Sequence, residues 1–232
     1  MELIWHGLAQ AFHLIVTGDA EVMRITSLSL KVSGLATLLS LLLGIPIGAF
    51  LGLARFPGRG FVLSLVNTGM ALPPVVVGLF LSIMLWRSGP LGVLQLLYSP
   101  TAIVIAQFIL AFPVVTGLTA SAMQQIDPKL RLQLLGLGAS RAQLLVQLLK
   151  EARLSMLAAV MAGFGAVISD IGASMMVGGN ILGYTRVLTT ATILETAKGN
   201  FEVAIALSTI LLVITFLINW ALTGIQQYGS RR

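Results

Sequence analysis

Apolar residues dominate this chain in five long runs, near 28–54, 61–86, 101–123, 154–177 and 202–225. Each is long enough to cross a hydrocarbon core as a helix, which takes about 20 residues. Ahead of them, Leu3, Leu8, Phe12 and Ile15 recur at roughly helical spacing with Trp5 beside them. That pattern suits a helix lying at a bilayer surface, or a frayed extension. Between the third and fourth runs, residues 124–153 mix leucine with charge. Leu130, Leu134 and Leu137 fall at i, i+4 and i+7, giving a short helix one apolar edge. Gly136 and Gly138 end it, and Ser140 with Gln143 three residues on is a capping-box signature for a second helix carrying Leu144, Leu145, Leu148 and Leu149. The pattern predicts an all-α polytopic membrane protein: about five transmembrane helices, an N-terminal interfacial helix and a two-helix elbow. No repeat or long linker divides it, so residues 1–232 read as one domain.

Composition supports this class. With 57% hydrophobic and 9% charged residues among 232, there is too little charge to coat a water-soluble globule. The absence of cysteine excludes disulfides and thiolate metal sites. A net charge of +6 could suggest nucleic acid, but the basic residues are scattered between apolar runs and read as topology signals instead. Placing the loop after the first run inside gathers Arg55, Arg59, Lys129, Arg131, Arg141, Lys150, Arg153, Arg231 and Arg232 on one side, against Arg24, Lys31, Arg87, Arg186 and Lys198. The positive-inside rule then puts the N-terminus outside and the C-terminus in the cytoplasm. Trp86, Trp220 and Tyr228 fall near the expected interfaces. Glu2 stands where a secretory signal carries a basic residue, so a cleaved signal is not expected.

Catalysis has little to work with. His6 and His13 lie in the N-terminal arm, where they read as interfacial side chains rather than ligands or bases. No lysine follows a glycine, so no phosphate-binding loop of the G-x-x-x-x-G-K-[ST] type is present. If a nucleotide drives transport, another polypeptide hydrolyses it.

Transport chemistry has more. Pro73 and Pro74 sit mid-way along the second run, each removing a backbone donor and leaving the carbonyls of Gly69 and Met70 without helical partners. A half-helix starting there points its positive end toward the midplane, which favours an anion, and Asn67 and Thr68 stand beside it. A kink serving only helix packing is the alternative. In the fourth run, eight Leu, Ile, Val and Phe residues favour insertion by about 0.3–0.6 kcal/mol each, while Asp170 opposes it by about 2.5–3.5 kcal/mol. That helix is expected inside the bundle, with Ala159, Gly163, Ala166, Asp170 and Ala173 on one small-residue stripe. Asp170 reads as a gate residue held by a basic group or by backbone donors. Lys31 is a possible partner, or simply snorkels. Gly178, Gly179 and Asn180 form a turn rich in backbone donors, followed by Thr185 and Arg186. The turn suits a passing oxyanion or a docking protein, and equally a plain turn with one solvated charge.

The elbow resembles the cytoplasmic coupling loop of ABC importer permeases. Gly138, Ala139 and Ser140 match its glycine and the residues after it. Leu132, Gln133 and Leu134 stand where that family has E-A-A, and Lys150 and Glu151 replace the closing L-P. "LPPVVVGLFLSIMLWRSGPLG", residues 72–92, is similar to the oxyanion branch (molybdate, tungstate, sulfate), and "DIGASMMVGGNILGYTRVLTTATILETAKGNFEVAIAL", residues 170–207, to tungstate permeases. The resemblance implies a type I importer core without a cofactor of its own. It also implies a second permease copy, two ATPase subunits that bind ATP and Mg, an extracytoplasmic binding protein, and coupling through Leu132, Gln133, Leu134, Gly138, Ala139, Ser140 and Arg141. Two rivals remain: a self-contained secondary transporter using Asp170 as a protonatable site, which should show inverted repeats, and an intramembrane enzyme, for which the core runs lack a histidine.

Overall fold

The computed structural model describes residues 2–230; Met1, Arg231 and Arg232 lie outside the described residues, as does the side chain of Tyr228. The described residues form helices and no strand. In order these are α1 (Glu2–Thr17), α2 (Ala20–Leu53), α3 (Arg59–Met70), α4 (Pro74–Leu85), α5 (Pro100–Gln124), α6 (Pro128–Gly136), α7 (Arg141–Glu151), α8 (Arg153–Ile168), α9 (Gly172–Gly178), α10 (Leu188–Ala197) and α11 (Phe201–Ser230). Helices α2 and α5 and the segment Phe201–Gln227 are each long and apolar enough to cross a membrane. Two bent pairs, α3/α4 at 98° and α7/α8 at 69°, bring the candidates to as many as five.

The centre of the bundle is α5, which packs against α2, α3, α4, α8 and α9. Its closest neighbour is α2, and the reason is a ladder of glycines at Gly44, Gly48 and Gly52. A Cβ on Gly48 would come within 2.5 Å of the Thr116 carbonyl oxygen, and one on Gly52 within 2.5 Å of the Met123 Cβ. Small residues at every fourth position let two backbones meet where side chains would hold them apart. On another side of α5, Gly163 brings α8 against Val115.

The N-terminal helix has two faces. Leu3, Trp5, Leu8, Phe12 and Ile15 point outward, while Gly7 and Ala11 are buried. Gly7 lies against Ile205, so the small-residue side rests on α11. The outer ridge of α11, with Leu212, Phe216 and Trp220 each at least two-thirds exposed, is apolar surface suited to lipid.

Two of the expected spans are interrupted. The second breaks where the prolines require it: Pro73 is extended (φ −65°, ψ 128°) and Pro74 opens α4. The fourth breaks where no proline marks it. A continuous helix through Asp170 is expected from the apolar run, but α8 ends at Ile168 and α9 begins at Gly172. The proposed stripe is corrected accordingly: Ala159, Gly163, Asp170 and Ala173 are buried, the last two reaching the core across the break, while Ala166 is exposed.

Candidate functional site

The elbow forms as its local signals require. Asp127 caps α6 by accepting from the Lys129 N–H at 2.8 Å. At the other end Gly138 takes φ +81°, and the N–H groups of Gly138 and Ala139 donate to the Leu135 and Leu134 carbonyls. These two bonds end a helix at a left-handed residue, a position glycine fills without a Cβ penalty. Ser140 Oγ accepts from the Gln143 N–H, and Gln143 Oε1 accepts in return from the Ser140 N–H, at 3.3 and 2.9 Å.

Leucines then divide between two surfaces. Leu144 and Leu148 are buried with Ala49, Ala122, Met123 and Ala152, and Leu130 and Leu134 pack against them. Facing away, Leu132 is 68% and Leu137 is 84% exposed. Leu137, Gly138, Ala139, Gln143 and Val146 line an open groove of about 660 Å³ between the two helices. Arg141 is exposed on the same elbow. The structure therefore brings together all seven residues singled out here, and it roots them on α2 and α5 while leaving an apolar outer surface.

That root includes contacts the sequence did not show. The Arg59 Nε donates to the Leu51 carbonyl at 2.7 Å and Nη2 to that of Gly52 at 3.4 Å, while Arg131 Nη1 reaches the Leu53 carbonyl at 3.5 Å. The last carbonyls of a helix lack partners and carry the negative end of its dipole, so a guanidinium satisfies both needs. Arg131 ties the elbow to the end of α2.

At mid-bundle the two breaks are neighbours. Gly78 of α4 packs on Ala173, and a Cβ on Gly172 would come within 3.0 Å of the Val75 nitrogen, so the starts of α4 and α9 lie side by side. They differ in how their first donors are met. Asp170 Oδ1 accepts from the Ala173 N–H at 3.1 Å, and Oδ2 accepts from the Ser174 N–H at 2.9 Å and from the Ser174 hydroxyl at 2.7 Å. Of the partners considered for Asp170, backbone donors therefore hold it, and Lys31 stands exposed. α4 has no side-chain cap. Around the second break, Gln107 Nε2 donates to the Val167 carbonyl at 3.1 Å and the Thr189 hydroxyl to the Asp170 carbonyl at 2.8 Å. The Val167 carbonyl also accepts from the Asp170 N–H at 3.1 Å, so Gln107 adds a second donor to it, while Thr189 serves the Asp170 carbonyl inside the break. Asn67, Thr68, Pro73 and Pro74 are all exposed along the α3–α4 bend, with the Thr68 hydroxyl donating back to the Ser64 carbonyl.

Asp170→Ala strands three buried donors, at about 1–3 kcal/mol for a lost polar partner and more for a charged one. The expected result is a lower unfolding temperature in detergent than for Asp170→Asn, which keeps one acceptor oxygen.

The turn at 178–186 closes on itself more than its glycines suggest. Gly178 is buried and Gly179 takes φ +69° against the Tyr98 ring. Thr185 is 1% exposed: its hydroxyl donates to the Gly178 carbonyl and accepts from the Ile181 N–H. The N–H groups of Tyr184, Thr185 and Arg186 all converge on the Ile181 carbonyl. Of the turn's own groups, the Gly179 N–H donates to the Met175 carbonyl and Asn180 Nδ2 is turned to the Thr190 carbonyl. What remains is Arg186, paired with Glu21 at 3.4 Å. This loop meets the first turns of α2 and the elbow meets the last, roughly 40 Å apart at 1.5 Å per residue.

Beyond the loop, Glu195 accepts from Asn200 Nδ2 at 2.8 Å and Lys198 Nζ at 2.7 Å, which hold its carboxyl below the usual range. A depressed folded-state value stabilises above the unfolded value and is lost as pH falls through it. Amide exchange in 195–201 is therefore expected to quicken as pH drops below about 4, after correction for intrinsic rates.

A chain of broken spans with a capped elbow at one end and a folded loop at the other matches a known design. Residues 44–232 fit the family model described as binding-protein-dependent transport system inner membrane component. The chain belongs to that family. As an inner-membrane permease it is 38% identical over 227 residues to a tungstate uptake system permease protein of Peptoclostridium acidaminophilum, covering 98% of this chain and 100% of that one. It is 40% identical over 214 residues to a probable anion ABC transporter permease protein of Haloferax volcanii, covering 89% and 92%. Its fold matches a chain of the MetNI methionine ABC transporter, solved in inward-facing conformations, with a TM-score of 0.74 at 18% identity, over 90% of this chain and 96% of that one. The permease is thus of the ABC importer type.

Proposed function

We propose that this permease imports tungstate, working as a homodimer with the path along its two-fold axis and driven by ATP and Mg bound on partner ATPase subunits. The single observation that carries the reading is the elbow: an apolar knob, standing clear of its own bundle on a capped helical turn, is a surface made for another protein. Leu132, Gln133, Leu134, Gly138, Ala139, Ser140 and Arg141 are its contact residues. Basic residues around it support a cytoplasmic elbow and C-terminus with the N-terminus outside.

Asn67, Thr68, Pro73 and Pro74 line the path, where the uncapped start of α4 offers its positive end to an anion. Asp170 acts as the gate residue by occupying the start of α9, which keeps a second positive end from trapping the dianion. Its three donors support this role over that of a proton carrier. Gly179, Asn180 and Arg186, on a loop that the buried Gly178 and Thr185 hold together from inside, form the face that meets an extracytoplasmic binding protein or the entering anion. Likeness to a tungstate permease over nearly the whole chain supports the substrate, and molybdate, of the same shape and charge, is the alternative.

The test is reconstitution. Proteoliposomes holding the permease with its ATPase and binding protein should accumulate tungstate only with ATP on the ATPase side. Uptake by the chain alone under a proton gradient would select the secondary carrier instead.

A further inference from the structure

At the start of α2, two arginines and one glutamate surround a pocket of about 280 Å³ whose walls include Ile25, Leu28, Leu182 and Tyr184. The charges there are poorly matched. Arg186 is largely buried, with a side chain 14% exposed, yet Nε has no partner and Nη1 meets Glu21 Oε1 only at 3.4 Å. A charge-assisted bond to a carboxylate is usually about 2.7–2.9 Å, and a buried donor left unmet is costly. Glu21 itself is 56% exposed and free to swing away.

Arg24 is exposed and open to a ligand. Among the described residues it has no acidic partner within 4 Å, and it sits in the second turn of α2, near the positive end of the helix. Its guanidinium lies over Gly183, where φ is +73° and an added Cβ would stand 3.3 Å from Nη1. Gly183 thus leaves room for Arg24 to reach the pocket. Other acids nearby are engaged: Asp19 caps α2 through the Glu21 and Val22 N–H groups, and Glu195, within electrostatic reach of Arg186, is held by Asn200 and Lys198.

We propose that Arg24 and Arg186 form a binding pocket for a tetrahedral oxyanion, with Glu21 as a built-in competitor that the ligand displaces from Arg186. On the inner side the buried Ile25 limits water around Arg186, which strengthens the pairing there. The ligand is either the free oxyanion or the phosphate of a lipid headgroup, since both offer at least two anionic oxygens on a tetrahedral centre to two guanidiniums. The choice of tungstate as the free ligand rests on the import reading; the pocket itself does not.

The experiment uses the full-length chain in phosphatidylcholine nanodiscs, without other proteins, and measures tungstate binding by equilibrium dialysis. Saturable binding is expected, weakened about tenfold or more in Arg186→Gln and strengthened several-fold in Glu21→Gln. A gain of affinity cannot come from misfolding. A second arm adds phosphatidylglycerol and follows its retention by native mass spectrometry. If lipid is retained instead of tungstate, with the same opposite responses to the two substitutions, the pocket stands with a headgroup as its ligand. Binding of neither, or binding indifferent to Glu21→Gln, overturns the proposal. Loss of import in the reconstituted system would leave this result untouched, because no transport is measured here.

Discussion

Leu137→Asn is expected to weaken partnership without harming the fold. The side chain is 84% exposed at the end of α6, where asparagine is tolerated, so yield and thermal unfolding of the permease should stay at wild-type values. An exposed apolar anchor that fills a partner's groove typically contributes about 2 kcal/mol or more, so its loss should weaken ATPase association by about 30-fold and reduce uptake with it. Leu148→Asn on the next helix is the contrast. That residue is 1% exposed and packs inward, so the substitution lowers the unfolding temperature before it touches any partner. Pull-down of the ATPase and a thermal melt on both variants separate the surfaces.

Gly48→Val strikes the bundle instead. Its Cβ would sit 2.5 Å from the Thr116 carbonyl oxygen and 2.7 Å from the Thr119 Cβ, and a backbone oxygen cannot step aside as a side-chain tip can. Overpacking of this kind costs about 1–3 kcal/mol, occasionally more. The expected result is a permease that is expressed poorly and melts well below wild type. Gly34→Val is the control, since it lies in the same helix with nothing within 4 Å of an added Cβ. Equal effects at both positions would mean that β-branching in α2, and not the approach of α5, sets the loss.

What could be read from the sequence follows the range of the forces involved. The elbow was legible because its determinants are neighbours: Ser140 with Gln143, and Gly138 with the helix it ends. The bend at Pro73 and Pro74 was legible for the same reason, since a missing donor acts within one turn. The second break was not. Ser169, Asp170 and Ile171 include no glycine or proline; Asp170 turns its carboxylate onto the Ala173 and Ser174 N–H groups and so starts a new helix, while Gln107, 60 residues away, and Thr189 hold the carbonyls of Val167 and Asp170 beside it. The glycines of the α2 ladder stand in plain view every fourth residue, but only the path of α5 gives them meaning. Around Gly178, Gly179 and Asn180 the composition shows a turn but not its packing: the Gly179 N–H returns to the Met175 carbonyl, and the Thr185 hydroxyl and Ile181 carbonyl tie the loop together from inside. The clamp of Arg59 and Arg131 on α2 is likewise a long-range choice, and it gives the elbow a direct hold on the bundle.

A photo-crosslinking amino acid at position 137 of the intact complex in native membranes tests the central claim most directly. The account predicts an adduct between the permease and its ATPase that changes in yield when ATP is bound. An adduct confined to lipid or to the permease itself, or labelling of position 137 from the extracytoplasmic side, would contradict it.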